Sequence, residues 1–386
     1  MSELTPRERV LMSIEHKEPD RVPIDFASFQ SQISAQGPYG YFGLAKHLGF
    51  FDEDVEYEYP FGQVVNPDPR IGERFHNDFV TVGMTLPAPV EIKENYVQVF
   101  PFGWYWQHIG HYWYPDFKNA PLKNAKTVGD IEDYEHWPDP DDPAYDQSGV
   151  GDTAKDLHEN TDYAVVAEMG WLDFFCHEYH NLRTFQQWFI DMKQNPDIYH
   201  ALMTRITDSA IALSKKFYKE VGKYIDMAHV NGDDLGWQYG PYFSNETYRE
   251  FVKPYALKYN QAVRELTDAK FFYHCDGAIN PLIEEFIDIG FDITSPVMYG
   301  CKDMEPQKLK KRYGDRITFH CGIDAQDVMS FASVEEVKKH VTEVVQTLAP
   351  GGGYIFALTD VKSETPPAQI VAAFDTAKEA GTYPIR

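Results

Sequence analysis

The stretch Lys270-Phe-Phe-Tyr-His-Cys-Asp-Gly277 joins a short apolar run to a polar end, and seven other stretches of the chain share this pattern. Most of them are followed by a helical pattern, which is typical of parallel βα units. Eight such units predict an α/β fold, a closed (β/α)8 or TIM barrel. The eight apolar runs are Val22–Phe26, Phe79–Gly83, Ala164–Met169, Ile225–Val230, Lys270–His274, Phe291–Val297, Ile317–Cys321 and Gly353–Leu358.

Residues 84–150 do not follow the βα pattern. They are rich in aromatic side chains and close with the turn-rich segment Trp137-Pro-Asp-Pro-Asp-Asp-Pro143. We interpret them as an aromatic-rich β insertion after strand 2, a hairpin or small sheet that serves as a lid within a single domain of residues 1–386. Most of the rings are expected to pack against the barrel. Four aromatic residues are candidates for the walls of a substrate site: Trp104, Trp106, Tyr112 and Trp171.

The composition limits the classes of partner. The chain has 386 residues with 35 Lys and Arg against 60 Asp and Glu, a net charge of −25. So acidic a surface repels nucleic acid and anionic membranes, and we expect neither as a partner. No stretch approaches the ~20 apolar residues of a membrane span. The polar start of the chain and its four cysteines favour a reducing cytoplasm.

The polar ends of the runs are the candidate site, because a barrel of this type carries its chemistry at the carboxyl ends of the strands. Histidine, cysteine and aspartate are zinc-ligand types. The candidate metal ligands are His274 and Asp276, with Cys321 or Asp360 as a third ligand.

Carboxylates crowded into one barrel mouth also raise each other's pKa values, which suits acid–base catalysis. For any single carboxylate the alternative is a salt bridge or a helix N-cap. A nucleophile is not evident, since the sequence has neither a Gly-x-Ser-x-Gly elbow nor a phosphate loop. The candidate catalytic residues are Glu168, His229, Asp233 and His274, and Asp25 and Asn231 are candidates for substrate binding.

Segments spread along nearly the whole chain resemble the uroporphyrinogen decarboxylase superfamily, which includes corrinoid-dependent methyltransferases. The resemblance independently implies the (β/α)8 barrel, and it implies a homodimer. The matching segments are Asp20-Arg-Val-Pro23, Tyr134-Glu-His-Trp-Pro-Asp-Pro140, Gly232-Asp-Asp-Leu-Gly-Trp-Gln238, Phe251-Val-Lys-Pro-Tyr255, His274-Cys-Asp-Gly277, Gly322-Ile-Asp-Ala-Gln326 and Gly351-Gly-Gly-Tyr-Ile-Phe356.

Two departures from the family narrow the function. True uroporphyrinogen decarboxylases carry an Arg-rich stretch after strand 1, where this chain has Phe26-Ala-Ser-Phe-Gln30. Because arginine is the residue best suited to hold carboxylates, decarboxylation of uroporphyrinogen is not expected. The methyltransferase branch holds zinc through a His-x-Cys segment after strand 5 and a Cys after strand 8. Here Asp276 and Thr359-Asp360 stand at those places, which favours a harder His/Asp site or no metal.

The residues and the resemblance together predict a methyltransferase. It would move a methyl group from a small methoxylated aromatic donor to the cobalt of a corrinoid (cobalamin) carried by a partner protein, with zinc as the candidate metal. Two alternatives stay open. One is a decarboxylase or lyase acting on a small carboxylic acid, with Asp25 and Asp233 as its acid–base pair. The other is a non-catalytic module that binds corrinoid proteins.

Overall fold

The computed structural model describes residues 3–26, 40–50, 68–109, 112–170, 172, 175–359, 361 and 364–385. Eight parallel strands form a single, nearly closed barrel, as predicted. The strands are β1 (Ile24–Asp25), β2 (Phe79–Gly83), β3 (Ala164–Glu168), β4 (Met227–Gly232), β5 (Lys270–His274), β6 (Ile293–Ser295), β7 (Thr318–His320) and β8 (Tyr354–Ala357). Their order around the barrel is β1-β8-β7-β6-β5-β4-β3-β2.

Each of these strands lies at one of the predicted apolar runs. The limits of β2 and β5 coincide with the predicted runs, and the other strands begin and end within two residues of theirs. The agreement is good because a buried parallel strand needs a continuous apolar run, and polar or Gly-rich segments end it on both sides.

Helices pack around the barrel, and capping boxes at Thr5 and Ser333 begin two of them. The helical stretch from Thr184 to Val221 breaks at Asn195, where Pro196 begins a new helix. The helices are Pro6–Ile14, Gly40–Leu48, Pro69–Arg74, Val128–Glu132, Val150–Asn160, Phe175–Arg183, Phe185–Gln194, Pro196–Val221, Asn245–Phe251, Lys253–Arg264, Ile283–Ile289, Pro306–Tyr313, Val328–Phe331, Val334–Leu348 and Pro367–Ala380, with short 3₁₀ turns at Phe117–Asn119, Pro143–Tyr145 and Asn280–Leu282.

The insertion after β2 is a four-stranded antiparallel sheet, which confirms the predicted β insertion. Trp104 ties this sheet to the barrel, because its indole Nε1 donates a hydrogen bond of 2.7 Å to Oε2 of the buried Glu178. The strands of the insertion are Val90–Lys93, Tyr96–Val99, Trp104–Ile109 and Tyr112–Pro115, and a separate hairpin of two short strands, Gly236–Trp237 and Gly240–Pro241, follows β4.

The barrel interior has an apolar lower half. Alternate residues of the strands point inward, and the helix Pro6–Ile14 closes the lower end with Val10 and Ile14. Together they form a core cluster separate from the larger one between barrel and helices. The inward strand residues of this cluster are Phe79, Ala164, Val166, Met227, Phe272, Ile293 and Ile355.

The barrel closes between β1 and β2 through Asp78, whose side chain is fully buried. Its backbone N–H donates to the carbonyl of Ile24, and the Ile24 N–H donates to Oδ2 of Asp78 at 2.8 Å. Nη1 and Nη2 of Arg21 donate hydrogen bonds to the same carboxylate at 2.7 and 2.8 Å, and Nη1 of Arg9 donates to it at 2.6 Å. One side chain therefore joins the two edge strands and the helix that plugs the barrel.

Among the residues that the structure describes, the helices are all too short or too polar to cross a membrane.

Replacing Asp78 by Ala should lower the free energy of unfolding by about 3–5 kcal/mol, because it removes the buried carboxylate that the guanidinium groups of Arg9 and Arg21 share. The midpoint of urea denaturation measures the loss. Glu335→Ala is the matched control, since it removes a carboxylate that is 82% exposed and paired with Lys338, and its midpoint should stay at the wild-type value. Equal midpoints for the two variants would show that Asp78 does not close the barrel.

Candidate active site at the barrel mouth

The upper half of the barrel interior is polar. On six of the eight strands, the inward residues nearest the carboxyl end are titratable or hydroxyl groups instead of apolar ones. Such a layer is expensive to bury unless its members bond one another, and the structure shows that they do. The inward residues of this layer are Asp25, Glu168, His229, His274, Ser295 and His320.

Asp25, His320 and Ser295 form one buried chain of contacts. Nε2 of His320 lies 3.0 Å from Oδ2 of Asp25, and Nδ1 lies 2.7 Å from Oγ of Ser295. A neutral ring satisfies both contacts when Nε2–H donates to the carboxylate and the serine hydroxyl donates to Nδ1. All three side chains are fully buried. Asp25, predicted to bind substrate, therefore lies beneath the mouth rather than on its surface.

Glu168 and His229 form a second pair, with Nδ1 of His229 3.2 Å from Oε2 of Glu168. The other carboxyl oxygen, Oε1, is buried and has no hydrogen-bond partner among the described residues. Burial raises the pKa of Glu168 to about 8, the charge of Asp25 acts in the same direction, and His274 opposes them. Glu168 is thus a carboxylic acid at pH 7, with 14% of its side chain exposed.

Three side chains near the end of β5 form a group of potential metal ligands: Asp234, His274 and Asp276. Nε2 of His274 lies 3.5 Å from Oδ1 of Asp234 and 3.9 Å from Oδ1 of Asp276. Asp276 also donates its backbone N–H to Oδ1 of Asp234. The group contains both residues predicted as the core of a metal site.

A bulge in β4 decides which of the two consecutive aspartates reaches this group. The register between β4 and β5 shifts after Phe272, so that His229 pairs with Phe272 and Asn231 with Tyr273. Asp233 then turns toward the helix Phe175–Arg183 and Asp234 reaches the mouth.

Asp233, predicted as catalytic, is 1% exposed and accepts the backbone N–H groups of Cys176 and His177 at 2.8 and 3.1 Å. These contacts are those of a residue that holds the start of a helix, the structural alternative named for it above. Asp234, by contrast, has 38% of its side chain exposed.

His177 bridges the two aspartates. Its Nδ1 lies 3.3 Å from Oδ1 of Asp233, and its Nε2 lies 3.3 Å from Oδ2 of Asp234. Burial opposes the charged ring, but the two carboxylates outweigh it and raise the pKa of His177 to about 10. Burial also opposes ionisation of Asp234, and His177 and His274 together hold the pKa of Asp234 well below its usual range.

The three-residue group fits a divalent ion. Donor atoms bound at about 2.1 Å to one tetrahedral ion are separated by about 3.4 Å, close to the 3.5 and 3.9 Å found around His274. His177 contacts Oδ2 of Asp234, whereas Oδ1, which accepts the backbone N–H of Asp276, is the oxygen nearest to His274. Two carboxylates and one imidazole form a harder donor set than thiolates, as the sequence predicted for this site.

The remaining predicted residues have different positions. Cys321 is 1% exposed and is not part of the three-residue group. Trp104 is 3% exposed and bonded to Glu178, which argues for a structural role, whereas Trp106 is half-buried against the core. Tyr112 and Asn231 lie in strands, but the structure does not define their side chains. Trp171 and Asp360 lie outside the described residues.

Two residues of the site were not predicted for their roles. Asp234 follows Asp233 directly, so the sequence showed a pair of carboxylates but not which one enters the mouth. His177 lies within a helix, 56 residues before Asp233, and no strand end or motif marks it.

A family model described as uroporphyrinogen decarboxylase (URO-D) matches residues 114–380. The chain belongs to this family. A solved structure of a methyltransferase from Methanosarcina mazei superposes with a TM-score of 0.60 at 16% sequence identity, and the match covers 98% of this chain and 99% of the other. At this identity the likeness shows the shared fold. A comparison with curated protein sequences gave no match.

The group formed by Asp234, His274 and Asp276, called the ligand group from here on, predicts that the protein binds a metal ion. Zn²⁺ added to the metal-free protein should bind at about one ion per chain, and Asp234→Asn and His274→Ala should each abolish binding, because each removes one of three ligands. Elemental analysis after gel filtration measures the content. Cys321→Ala should keep the ion, whereas loss of zinc in this variant alone would move the site to Cys321.

Proposed function

We propose that this URO-D family member is a corrinoid-dependent methyltransferase, the methyltransferase component of an O-demethylase. It takes the methyl group from a small methoxylated aromatic donor, and the acceptor substrate is the cobalt of a corrinoid carried by a separate protein. The observation that carries the proposal is the buried Glu168, whose pKa burial raises to about 8, in the same barrel mouth as Asp234, His274 and Asp276. The fold shared with a methyltransferase supports it.

The reaction breaks the bond between the methyl carbon and the ether oxygen. The acceptor supplies the electron pair of the new bond to carbon, and the oxygen leaves with the electron pair of the old one. A phenolate is a poor leaving group, so its departure needs a proton or a positive charge. Glu168 holds that proton at pH 7, and its buried Oε1 is available to the ether oxygen. His229 fixes the carboxyl group through Oε2.

The ligand group has a separate role. A divalent ion held there would supply Lewis-acid stabilisation of negative charge on the departing oxygen. Asp234, His274 and Asp276 are the residues that would hold it. His177 keeps Asp234 ionised and oriented, and Asp233 in turn fixes His177 and the start of its helix.

The methyl acceptor must come from outside the chain. All four cysteines are buried. Burial raises the pKa of the Cys176, Cys275 and Cys301 thiols, so that these are protonated and weakly nucleophilic. A reduced corrinoid is an acceptor that needs no activation by a side chain of this protein.

The test is methyl transfer with a reduced corrinoid as acceptor. We expect a methoxyphenol to lose its methyl group only when the corrinoid is present, and the absorption spectrum of the corrinoid to report methylation. Glu168→Gln should lower kcat by about 10²- to 10⁴-fold, the usual contribution of a positioned proton donor. Methoxyphenol consumption without corrinoid, or an unchanged rate in Glu168→Gln, would contradict the proposal.

The rate should fall as the pH rises through about 8, because Glu168 then loses the proton that it donates. Asp25→Asn should move this fall to lower pH, since the negative charge of Asp25 raises the pKa of Glu168 and the amide can still accept from His320. Asp315→Asn, which removes the same charge before β7 at the opposite end of the barrel, is the control and should leave the pH profile unchanged.

The second candidate is a decarboxylase acting on a small carboxylic acid, which the family match favours. Its expected acid–base pair was Asp25 and Asp233, and these are 0% and 1% exposed and bonded to other groups of the protein. Release of carbon dioxide without corrinoid would identify this activity.

A further inference from the structure

Most arginines of this protein form ion pairs with its own aspartates and glutamates. The chain has 12 arginines. Among the described residues, each of ten is paired with an aspartate or glutamate, and Arg312 bonds the side chain of Asn280. The ten paired arginines are Arg7, Arg9, Arg21, Arg70, Arg74, Arg183, Arg205, Arg249, Arg264 and Arg316.

The segments that follow strands β3 to β8 are strongly acidic. The described residues of these segments, 169–170, 172, 233–244, 275–282, 296–305, 321–327, 358–359, 361 and 364–366, include eight acidic residues, and Lys302 is the one basic residue among them. Loops at the carboxyl ends of the strands surround the barrel mouth. The eight acidic residues are Asp233, Asp234, Asp276, Asp303, Glu305, Asp324, Asp327 and Glu364.

A cavity of about 530 Å³ opens at the carboxyl ends of β6, β7 and β8. Tyr239 and Tyr299 line it, 65% and 40% exposed, and its charged lining residues are Lys302, Asp324 and Asp327. It lies at the same end of the barrel as the site, because its lining residues follow β6, β7 and β8 just as Asp234 and Asp276 follow β4 and β5. Two phenol rings and a volume of this size suit one aromatic ring.

We propose that the methyl donor is an uncharged methoxyarene that carries no carboxylate and enters through this cavity. The proposal rests on the methyl transfer proposed above, and it narrows the donor. A carboxylate entering the mouth would lose its hydration and meet acidic loops without an arginine to pair with. An uncharged ring loses little hydration and packs against the tyrosines.

Equilibrium binding tests this without turnover, so its result stands even if methyl transfer is not found. Para-methylguaiacol, vanillate and vanillylamine share one methoxyphenol ring and differ in the charge of the para substituent. Calorimetry on the metal-free full-length protein should show vanillate binding roughly tenfold or more weakly than para-methylguaiacol. Vanillylamine should bind more tightly than vanillate, because its ammonium group faces an acidic mouth.

Charge reversal locates the effect. Asp327→Lys adds two positive charge units at the cavity and should reduce the preference for para-methylguaiacol over vanillate by about fivefold, as expected for charges roughly 8 Å apart in water. Asp315→Lys makes the same change at the far end of the barrel and should leave the preference as it is. Vanillate binding as tightly as para-methylguaiacol, no binding of any of the three ligands, or equal effects of the two variants would each overturn the proposal.

Discussion

The buried carboxylate of Asp78 is the interaction on which the barrel depends. It bonds the backbone of Ile24 and the guanidinium groups of Arg9 and Arg21, and so joins β1 to β2 where the ring of strands closes. The segment Asp20-Arg-Val-Pro23 supplies one of these arginines, and Asp20 binds Arg9 from the other side. A buried carboxylate is stable only when several hydrogen-bond donors contact it. The contacts of Asp78 therefore fix how β1 and β2 meet and also stabilise the closed barrel. The positions of Asp25 on β1 and Glu168 on β3 both follow from that closed ring.

Closure brings polar groups together at the mouth, and their chemistry follows from how each is satisfied. Asp25 contacts His320, and Asp234 contacts His177 and His274. Asp233 accepts backbone N–H groups at the start of a helix. Burial, together with the charge of Asp25, raises the pKa of Glu168 to about 8. One mouth thus holds a carboxyl group with a raised pKa and, in Asp234, one with a lowered pKa, two functions that a uniform cluster of carboxylates would not separate.

The distribution of charge also bears on which substrates the barrel mouth can bind. The arginines serve the stability of the fold, and the loops above the barrel are acidic. Membership of the URO-D family gives the architecture, and the distribution of charge is the ground on which we propose a donor without carboxylates. A small uncharged aromatic donor and a separate corrinoid acceptor are consistent with both.

The sequence by itself determined the fold and most of the polar layer. Apolar runs, capping boxes and the break before Pro196 are local signals, and the strand ends named Glu168, His229, His274 and Asp276 because strand direction sends them all to one mouth. Only the tertiary structure decided that Asp234 rather than Asp233 reaches the ligand group, since a bulge between two strands sets that register. It alone brought in His177, which comes from a distant helix, and raised the pKa of Glu168. Contacts between remote segments and burial in a closed barrel are properties of the folded chain, and no local pattern encodes them.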